Sequence, residues 1–221
     1  RAALYATLSS PVSHEPLESW VNPGDKVALI VSDMSRFWMR QDLVVPHIIS
    51  YLTDKCDVNQ NNITIIIANG THPGGDENEL RTLVTDGVYD RIRVVNHDCQ
   101  AKDLVYIGTT SLGTEVHINP IAANADKVIM LGACTYHVMA GYGGGRKSIL
   151  PGISGLETIR QNHLHSLDLL APRSNPLIGN GVTDGNPLNE DMCQAAAMIK
   201  NLFGINLVTN ADMQLAHIIS G

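Results

Sequence analysis

Several features that mark particular classes of protein are missing from this sequence of 221 residues. No apolar run approaches the roughly 18 residues of a membrane-spanning helix and no signal peptide opens the chain, so we expect a cytoplasmic protein with no membrane partner. Asp and Glu (22) outnumber Lys and Arg (15), the net charge is −7 and no basic block occurs, so no nucleic-acid partner is expected. The chain also lacks internal repeats and low-complexity tracts.

The cysteines are few and scattered. Cys56, Cys99, Cys134 and Cys193 include no Cys-x-x-Cys pair. This spacing argues against a disulfide framework and a zinc knuckle, and it predicts reduced, mostly buried thiols. Aromatic residues make up only 5% of the chain, but hydrophobic residues make up 44%, enough for one large domain or two small ones to bury a core.

Apolar runs alternate with segments of helical spacing along the chain. Strands are predicted at Lys26–Ser32, Ile63–Ala68, Arg91–Val95, Lys127–Gly132 and Ile205–Val208, with a hairpin from Leu104–Ile107 and Glu115–Ile118. Helices are predicted at Gln41–Lys55, Asp76–Val84, Pro120–Ala125, Leu156–His163 and Leu188–Leu202. Residues 1–25 are predicted to be irregular and polar, and 171–187 to form a loop. This order predicts an α/β fold with a Rossmann-like, mostly parallel sheet and helices on both faces.

Reactive side chains follow the predicted strands. Arg36 comes after the first strand, His72 after the second and His97 after the third, and the segment Ala133–Ser148 after a later strand contains both His137 and Lys147. Because the carboxyl ends of parallel strands lie along one edge of a sheet, we expect these five residues to converge on one crevice.

The glycine-rich turn between His137 and Lys147 invites comparison with phosphate-binding loops. From Gly141 the chain is Gly-Tyr-Gly-Gly-Gly-Arg-Lys-Ser, and the P-loop template requires Gly at Arg146. Pro151 also interrupts the long helix that such a loop feeds. The dinucleotide-binding fingerprint fails as well, because these glycines do not join the first strand to the first helix. Lys147 is left with three interpretations: a surface lysine, a phosphate clamp or a nucleophile attached to a cofactor.

Two histidines near the end of a predicted helix are candidate metal ligands. His163 and His165 are two positions apart, so they point to different faces of a helix and do not form a chelating pair. The sequence leaves open whether one of these two histidines binds a metal ion alone.

Together these residues resemble the amino-terminal domain of the nickel-dependent lactate racemase family, which binds a nickel-pincer nucleotide. The matching stretches include Asn22–Asp33 with Ser35-Arg36, Asn69–His72, Arg91–Asp98, His137–Gly152 and Asn162-His163. The likeness runs across nearly the whole chain. It implies that residues 1–221 form the amino-terminal, cofactor-binding domain and that the family's carboxyl-terminal domain is absent. The apolar ending at Asp212–Gly221, without a closing helix, fits part of a longer protein.

The resemblance also implies a role for each residue of the crevice. Lys147 would form a thioamide link to the cofactor, and His163 would supply the protein ligand of a square-planar nickel ion beside the pincer's carbon and two sulfurs. Asp33, Gly143, Gly144 and Gly145 would lie against the cofactor. Arg36 would hold the substrate carboxylate, and His72 and His137 would be paired acid/base groups on opposite faces of the substrate.

The expected activity is therefore the racemisation or epimerisation of a 2-hydroxy acid by reversible hydride transfer to the cofactor. The expected partners are this substrate, the chain's own carboxyl-terminal domain and the enzymes that make the cofactor; the fragment alone is expected to be inactive. The family often has Arg-Pro after the first-strand acid and after the second-strand histidine, where this chain has Arg36-Phe37-Trp38 and His72-Pro73-Gly74. The alternatives are a nucleotide- or phosphate-binding enzyme without nickel and, third, a non-catalytic ligand-binding module.

Overall fold

A computed structural model describes residues 1–221, and its centre is a six-stranded sheet. The strands are β1 (Val27–Ser32), β2 (Ile63–Ala68), β3 (Arg93–Asn96), β4 (Val105–Thr109), β5 (Glu115–Ile118), β6 (Lys127–Ala133), β7 (Tyr136–His137), β8 (Gly141–Tyr142), β9 (Leu202–Thr209) and β10 (Leu215–Ser220). The helices are α1 (Ala2–Ser9), α2 (Leu17–Trp20), α3 (Val45–Asp54), α4 (Glu77–Val84), α5 (Asp86–Tyr89), α6 (Pro120–Ala123), α7 (Leu156–Leu164) and α8 (Pro187–Ala197). Short 3-10 segments occupy Met34–Met39, Gln41–Leu43, Gln60–Asn62 and Gly145–Ser148.

The strand order of the sheet is β10-β9-β6-β1-β2-β3. All neighbouring pairs are parallel except β9 and β10. The chain therefore builds one wing of the sheet from β1 through β2 to β3, and the other from β6 and β9 on the opposite side of β1. Such a reversal opens a crevice at the carboxyl ends of the strands. The predicted mostly parallel α/β sheet is confirmed.

Both faces of the sheet are covered, because alternate residues of each strand enter different cores. Leu29 and Val31 of β1 pack with the helices α1 to α5. Ala28 and Ile30 pack on the other face with the β4–β5 hairpin and helices α6 to α8. Strands buried on both faces explain the continuous apolar runs in the sequence. The longest helix, α8, has 11 residues, and no helix combines the length and apolar character needed to cross a membrane.

Two predictions about helices are wrong, and one strand was not predicted. Residues 1–25 are not irregular, because α1 buries Leu4 and Leu8, which stand four positions apart as on a helix face. The predicted helix Leu188–Leu202 ends at Ala197, since the last of those residues already begins β9. The apolar end of the chain forms β10, an edge strand antiparallel to β9.

Candidate active site at the carboxyl edge of the sheet

A cleft of about 230 Å³ opens beyond the ends of β1, β2 and β6. It is lined by most of the residues that the sequence singled out, namely Asp33, Arg36, His72, His137, Gly143, Gly144, Lys147 and His163. The expected convergence at one sheet edge is therefore found for these residues. His97 is the exception: it is buried, and its imidazole bonds the carbonyl of Ser154 (2.9 Å) and the amide of Asn119 (3.3 Å), so its role is structural.

The segment after β1 connects three cleft residues by hydrogen bonds. Arg36 Nη1 donates to Ser35 Oγ (2.9 Å), and Ser35 Oγ donates to Asp33 Oδ1 (2.6 Å). The other oxygen of Asp33 lies 2.5 Å from Nδ1 of His72. Both oxygens of this carboxylate are thus engaged within the protein. Asp33 is also the only carboxylate that lines the cleft, where Arg36 and Lys147 supply cations, so the cleft favours an anionic ligand.

The loop that carries His72 is held by amide side chains. Asn69 Nδ2 donates to Asn96 Oδ1 (3.1 Å) and to the carbonyl of His97 (3.0 Å). The Oδ1 atom of Asn69 is buried, has no partner and belongs to a residue that lines the cleft. A buried amide oxygen without a donor is costly unless a ligand satisfies it. Sequence reasoning missed Asn69 as a site residue, although it stands directly after β2.

His137 lies in the short hairpin of β7 and β8. Its Nδ1 accepts hydrogen bonds from the backbone N–H groups of Met139 (3.2 Å) and Ala140 (3.1 Å). Burial, and then the positive charges of Lys147 and Arg36, lower the pKa of His137 from 6.5 to about 4. The ring is therefore neutral at physiological pH.

The glycines of the turn serve close backbone packing. A Cβ on Gly144 would lie 2.4 Å from Asn206 Oδ1, and a Cβ on Gly132 in β6 would lie 2.8 Å from the Cα of Gly144. Gly144 also has a φ of +76°, which favours glycine. Gly143 and Gly144 line the cleft, whereas Gly145 does not and instead donates its N–H to Asn206 (3.0 Å). Gly143 and Gly144 are needed because this part of the turn packs tightly on the ends of β6 and β9.

Lys147 is a partly buried lysine without an acidic partner. It takes part in none of the salt bridges of the structure. Burial first, and then the charges of Arg146 and Arg36, lower the pKa of Lys147 from 10.5 to about 8. The neighbouring Arg146 points away to the carbonyls of Ala140 (2.8 Å) and Tyr142 (3.2 Å). Lys147 thus has a substantial fraction of neutral, nucleophilic amine near pH 8.

The two histidines near the end of α7 have different surroundings. His163 lines the cleft, and its Nδ1 bonds the carbonyl of Ile159 (2.8 Å), which requires a proton on Nδ1 and leaves Nε2 free to bind a metal. His165 lies instead near Asp191 (3.9 Å) and outside the cleft. The prediction that they do not form a chelating pair agrees with this geometry. No group of three or more His, Cys, Asp or Glu side chains in the structure is arranged to hold a metal ion.

The cysteines match their prediction only in part. All four are free, as expected. Cys56 and Cys99 are buried, but Cys134 and Cys193 are exposed, so the expectation of mostly buried thiols is wrong for half of them.

Comparison with known proteins places these observations in a family. Residues 1–173 match the family model described as the lactate racemase N-terminal domain. Among curated proteins, the chain is 28% identical over 216 residues to a lactate racemase of Thermoanaerobacterium thermosaccharolyticum and 29% identical over 216 residues to one of Lactiplantibacillus plantarum. Each alignment covers 97% of this chain but 49% of the relative, so the chain spans about half the length of the relatives it matches.

Solved structures show the same likeness. The lactate racemase apoprotein from Thermoanaerobacterium thermosaccharolyticum superimposes with a TM-score of 0.90 and 27% identity, over 100% of this chain and 51% of that one. A protein from Thermotoga maritima superimposes with a TM-score of 0.72 and 19% identity, over 92% of this chain and 51% of that one, which shows a shared fold.

Proposed function

The chain belongs to the lactate racemase family, and we propose that its cleft is the cofactor- and substrate-binding site of a racemase or epimerase of 2-hydroxy acids. The observation that carries this proposal is the convergence of Arg36, His72, His137, Lys147 and His163 on one cleft at the sheet edge. One guanidinium, two imidazoles for proton transfer, one amine and one potential metal ligand are the groups that such a reaction needs.

The residues of the cleft fit a nickel-pincer nucleotide. Lys147 offers an amine that loses its proton easily, and His163 offers a free Nε2. The protein alone assembles no set of three metal ligands, which suits a metal whose remaining ligands belong to an organic group. The unpartnered Oδ1 of Asn69 adds a buried acceptor to the same cleft.

We propose that Lys147 links the cofactor covalently, that His163 binds its nickel ion, and that Gly143 and Gly144 lie against it. When bound, this group supplies the acceptor for the hydride that leaves carbon 2 of the substrate, a function that no side chain of this chain has. The phosphate-binding alternative loses support, because tight packing on β6 and β9 accounts for Gly143 and Gly144.

The remaining residues bind the substrate and move its proton. Arg36 is placed to hold the carboxylate by charge-assisted hydrogen bonds. His72 and His137 exchange the hydroxyl proton, one imidazole accepting it from the substrate and the other, in its protonated form, returning it. Trp38 adds apolar surface to the cleft beside Arg36, where it excludes water and contacts the substrate side chain. Because relatives are about twice as long, we propose that a second domain of the full-length protein completes this site.

Nickel content and intact mass of the full-length protein, produced together with the cofactor-making enzymes, test the cofactor assignment. We expect about one nickel ion per chain and a mass increase located on Lys147. Replacement of His163 with Ala should remove the nickel, whereas the matched H165A variant should retain it. Equal nickel loss in both variants, or no mass increase, would contradict the assignment.

A panel of chiral 2-hydroxy acids tests the activity itself. The loaded full-length enzyme should convert one enantiomer into the equilibrium mixture, and H72A and H137A should each slow this conversion by about 10²- to 10⁴-fold, the range for general acid–base groups. Undiminished conversion by either variant would show that its histidine does not transfer the proton.

A further inference from the structure

Two of the three histidines that line the cleft, His72 and His137, are held at Nδ1 by partners of opposite kind. Nδ1 of His72 faces the carboxylate of Asp33 at 2.5 Å, and an ionised carboxylate only accepts hydrogen bonds. Nδ1 of His72 must therefore carry the proton. Nδ1 of His137 faces two backbone N–H groups, those of Met139 and Ala140, which only donate. Nδ1 of His137 must therefore be the unprotonated nitrogen.

Because a neutral imidazole has one N–H, these contacts determine the state of the other nitrogen as well. In the neutral form of each ring, the Nε2 atom of His72 has a free lone pair, whereas the Nε2 atom of His137 carries a hydrogen. We infer that Asp33 is a positioning residue that makes His72 a proton acceptor, while the amides of Met139 and Ala140 make His137 a hydrogen-bond donor. The inference deepens the proposed function and rests on it for its catalytic meaning.

The position of Asp33 is itself constrained by the segment that carries Arg36. Ser35 donates to its second oxygen, and Arg36 donates to Ser35. The backbone N–H of Arg36 also bonds the carbonyl of Asp33 (3.0 Å). The proposed carboxylate-binding residue and the carboxylate that orients His72 are therefore parts of one hydrogen-bonded turn. A substrate bound to Arg36 meets a base whose lone pair is already oriented.

The arrangement makes the two histidines unequal as bases. For His137 to accept a proton at Nε2, its Nδ1 would have to carry a hydrogen, which would point at two N–H groups. The nearby cations Lys147, Arg36 and Arg146 also oppose a second proton on this ring. His137 can therefore act as a base only if the turn at residues 138–140 moves and releases Nδ1. His72 needs no such change.

Nitrogen-15 NMR of the full-length protein, labelled at histidine and prepared without the cofactor, tests the inference directly. The chain contains nine histidines, and the H72Q and H137Q variants identify the two signals of interest. We expect the Nδ1–H form for His72 and the Nε2–H form for His137. The same tautomer in both rings, or an Nδ1–H form of His137, would overturn the inference.

The Asp33→Ala variant separates a positioning role from a merely structural one. It should shift His72 toward the Nε2–H form and leave His137 unchanged, while the matched control D184A, at an exposed loop position, should alter neither. An unchanged tautomer of His72 in D33A would refute the role of Asp33.

In the loaded enzyme, D33A should lower kcat/KM by about 10²- to 10⁴-fold, and the D33A/H72A double variant should be no slower than H72A, because both changes remove the same base. Additive losses would contradict positioning through His72. If the tautomers are as expected but the loaded enzyme shows no racemase activity, the proposed function fails and the assigned proton positions stand.

Discussion

Replacement of Lys147 with Met should make the cofactor-free protein more stable at neutral pH. The folded chain holds this lysine in a partly buried site with no carboxylate partner, beside Arg146 and Arg36, which lowers its pKa from 10.5 to about 8. At 1.36 kcal/mol per pH unit, this difference corresponds to a penalty of up to about 3 kcal/mol for keeping the protonated amine in the folded state. Met fills a similar volume without a charge, so K147M removes the penalty.

The sign of the pH dependence follows from the depressed pKa. Below about pH 8 both the folded and the unfolded chain carry the proton, so the folded state bears the full penalty. Between about 8 and 10.5 only the unfolded chain is protonated, and the penalty fades as the pH rises. The stability gap between K147M and the parent protein should therefore be largest at pH 7 and about 1 kcal/mol or less at pH 10.

Urea unfolding of both proteins at the two pH values measures this gap, with unchanged m-values as evidence that the unfolded states are alike. The matched control is K102M, at an exposed lysine, which should change stability by less than about 0.5 kcal/mol at either pH. A K147M protein that is no more stable than its parent at pH 7, or a gap that does not shrink with pH, would refute the reasoning.

Three further outcomes are expected. Gly144→Ala should lower the free energy of unfolding in urea by about 2 kcal/mol or more, because the new Cβ would lie 2.4 Å from Asn206 Oδ1 and the residue has a φ of +76°. Unchanged stability would contradict this, since it would mean that the loop moves to accommodate the methyl group. Asp191→Ala should lower the free energy of unfolding by about 3 kcal/mol in the same assay, since this buried carboxylate accepts hydrogen bonds from three side-chain donors. A loss below about 1 kcal/mol would show that these hydrogen bonds contribute little to stability. A thiol reagent should modify Cys134 and Cys193 in the native protein, as read by mass spectrometry, and the two buried thiols only after unfolding.

Long apolar runs made the sheet predictable from the sequence. The boundaries of helices and the strand at the end of the chain were less predictable. The runs that became β1, β2 and β6 are buried on both faces, and that burial is what produces a continuous apolar signal. α1 was missed because only two of its residues, Leu4 and Leu8, are buried, so its periodicity is short. β10 was missed because an edge strand exposes much of its length and needs only one partner.

The composition of the cleft was predictable from strand ends and from the family resemblance, but its hydrogen bonds were not. The sequence placed His97 with the other strand-end residues, yet tertiary contacts with Ser154 and Asn119 bury it. Asp33 was predicted to contact the cofactor and does line the cleft, but the hydrogen bonds of its two oxygens to Ser35 and His72 were not predicted. Apart from Ser35, these partners lie far away in the sequence, so no local pattern predicts them.

The reversal of strand order at β1 has a consequence for how the protein acquires its reactive centre during folding. Residues from one wing of the sheet, such as His72, meet residues from the other, such as His137 and Lys147, only after β1 has paired with both β2 and β6. Parallel pairings of this kind join distant parts of the chain and form slowly. Intermediates that lack the β6–β9 wing would leave Lys147 an ordinary, solvated amine, because this wing and the segment after β1 provide the burial and the cations around it. The enhanced reactivity of that amine near pH 8 should therefore emerge when the β6–β9 wing pairs with β1, and its rate of acylation would report that step of folding.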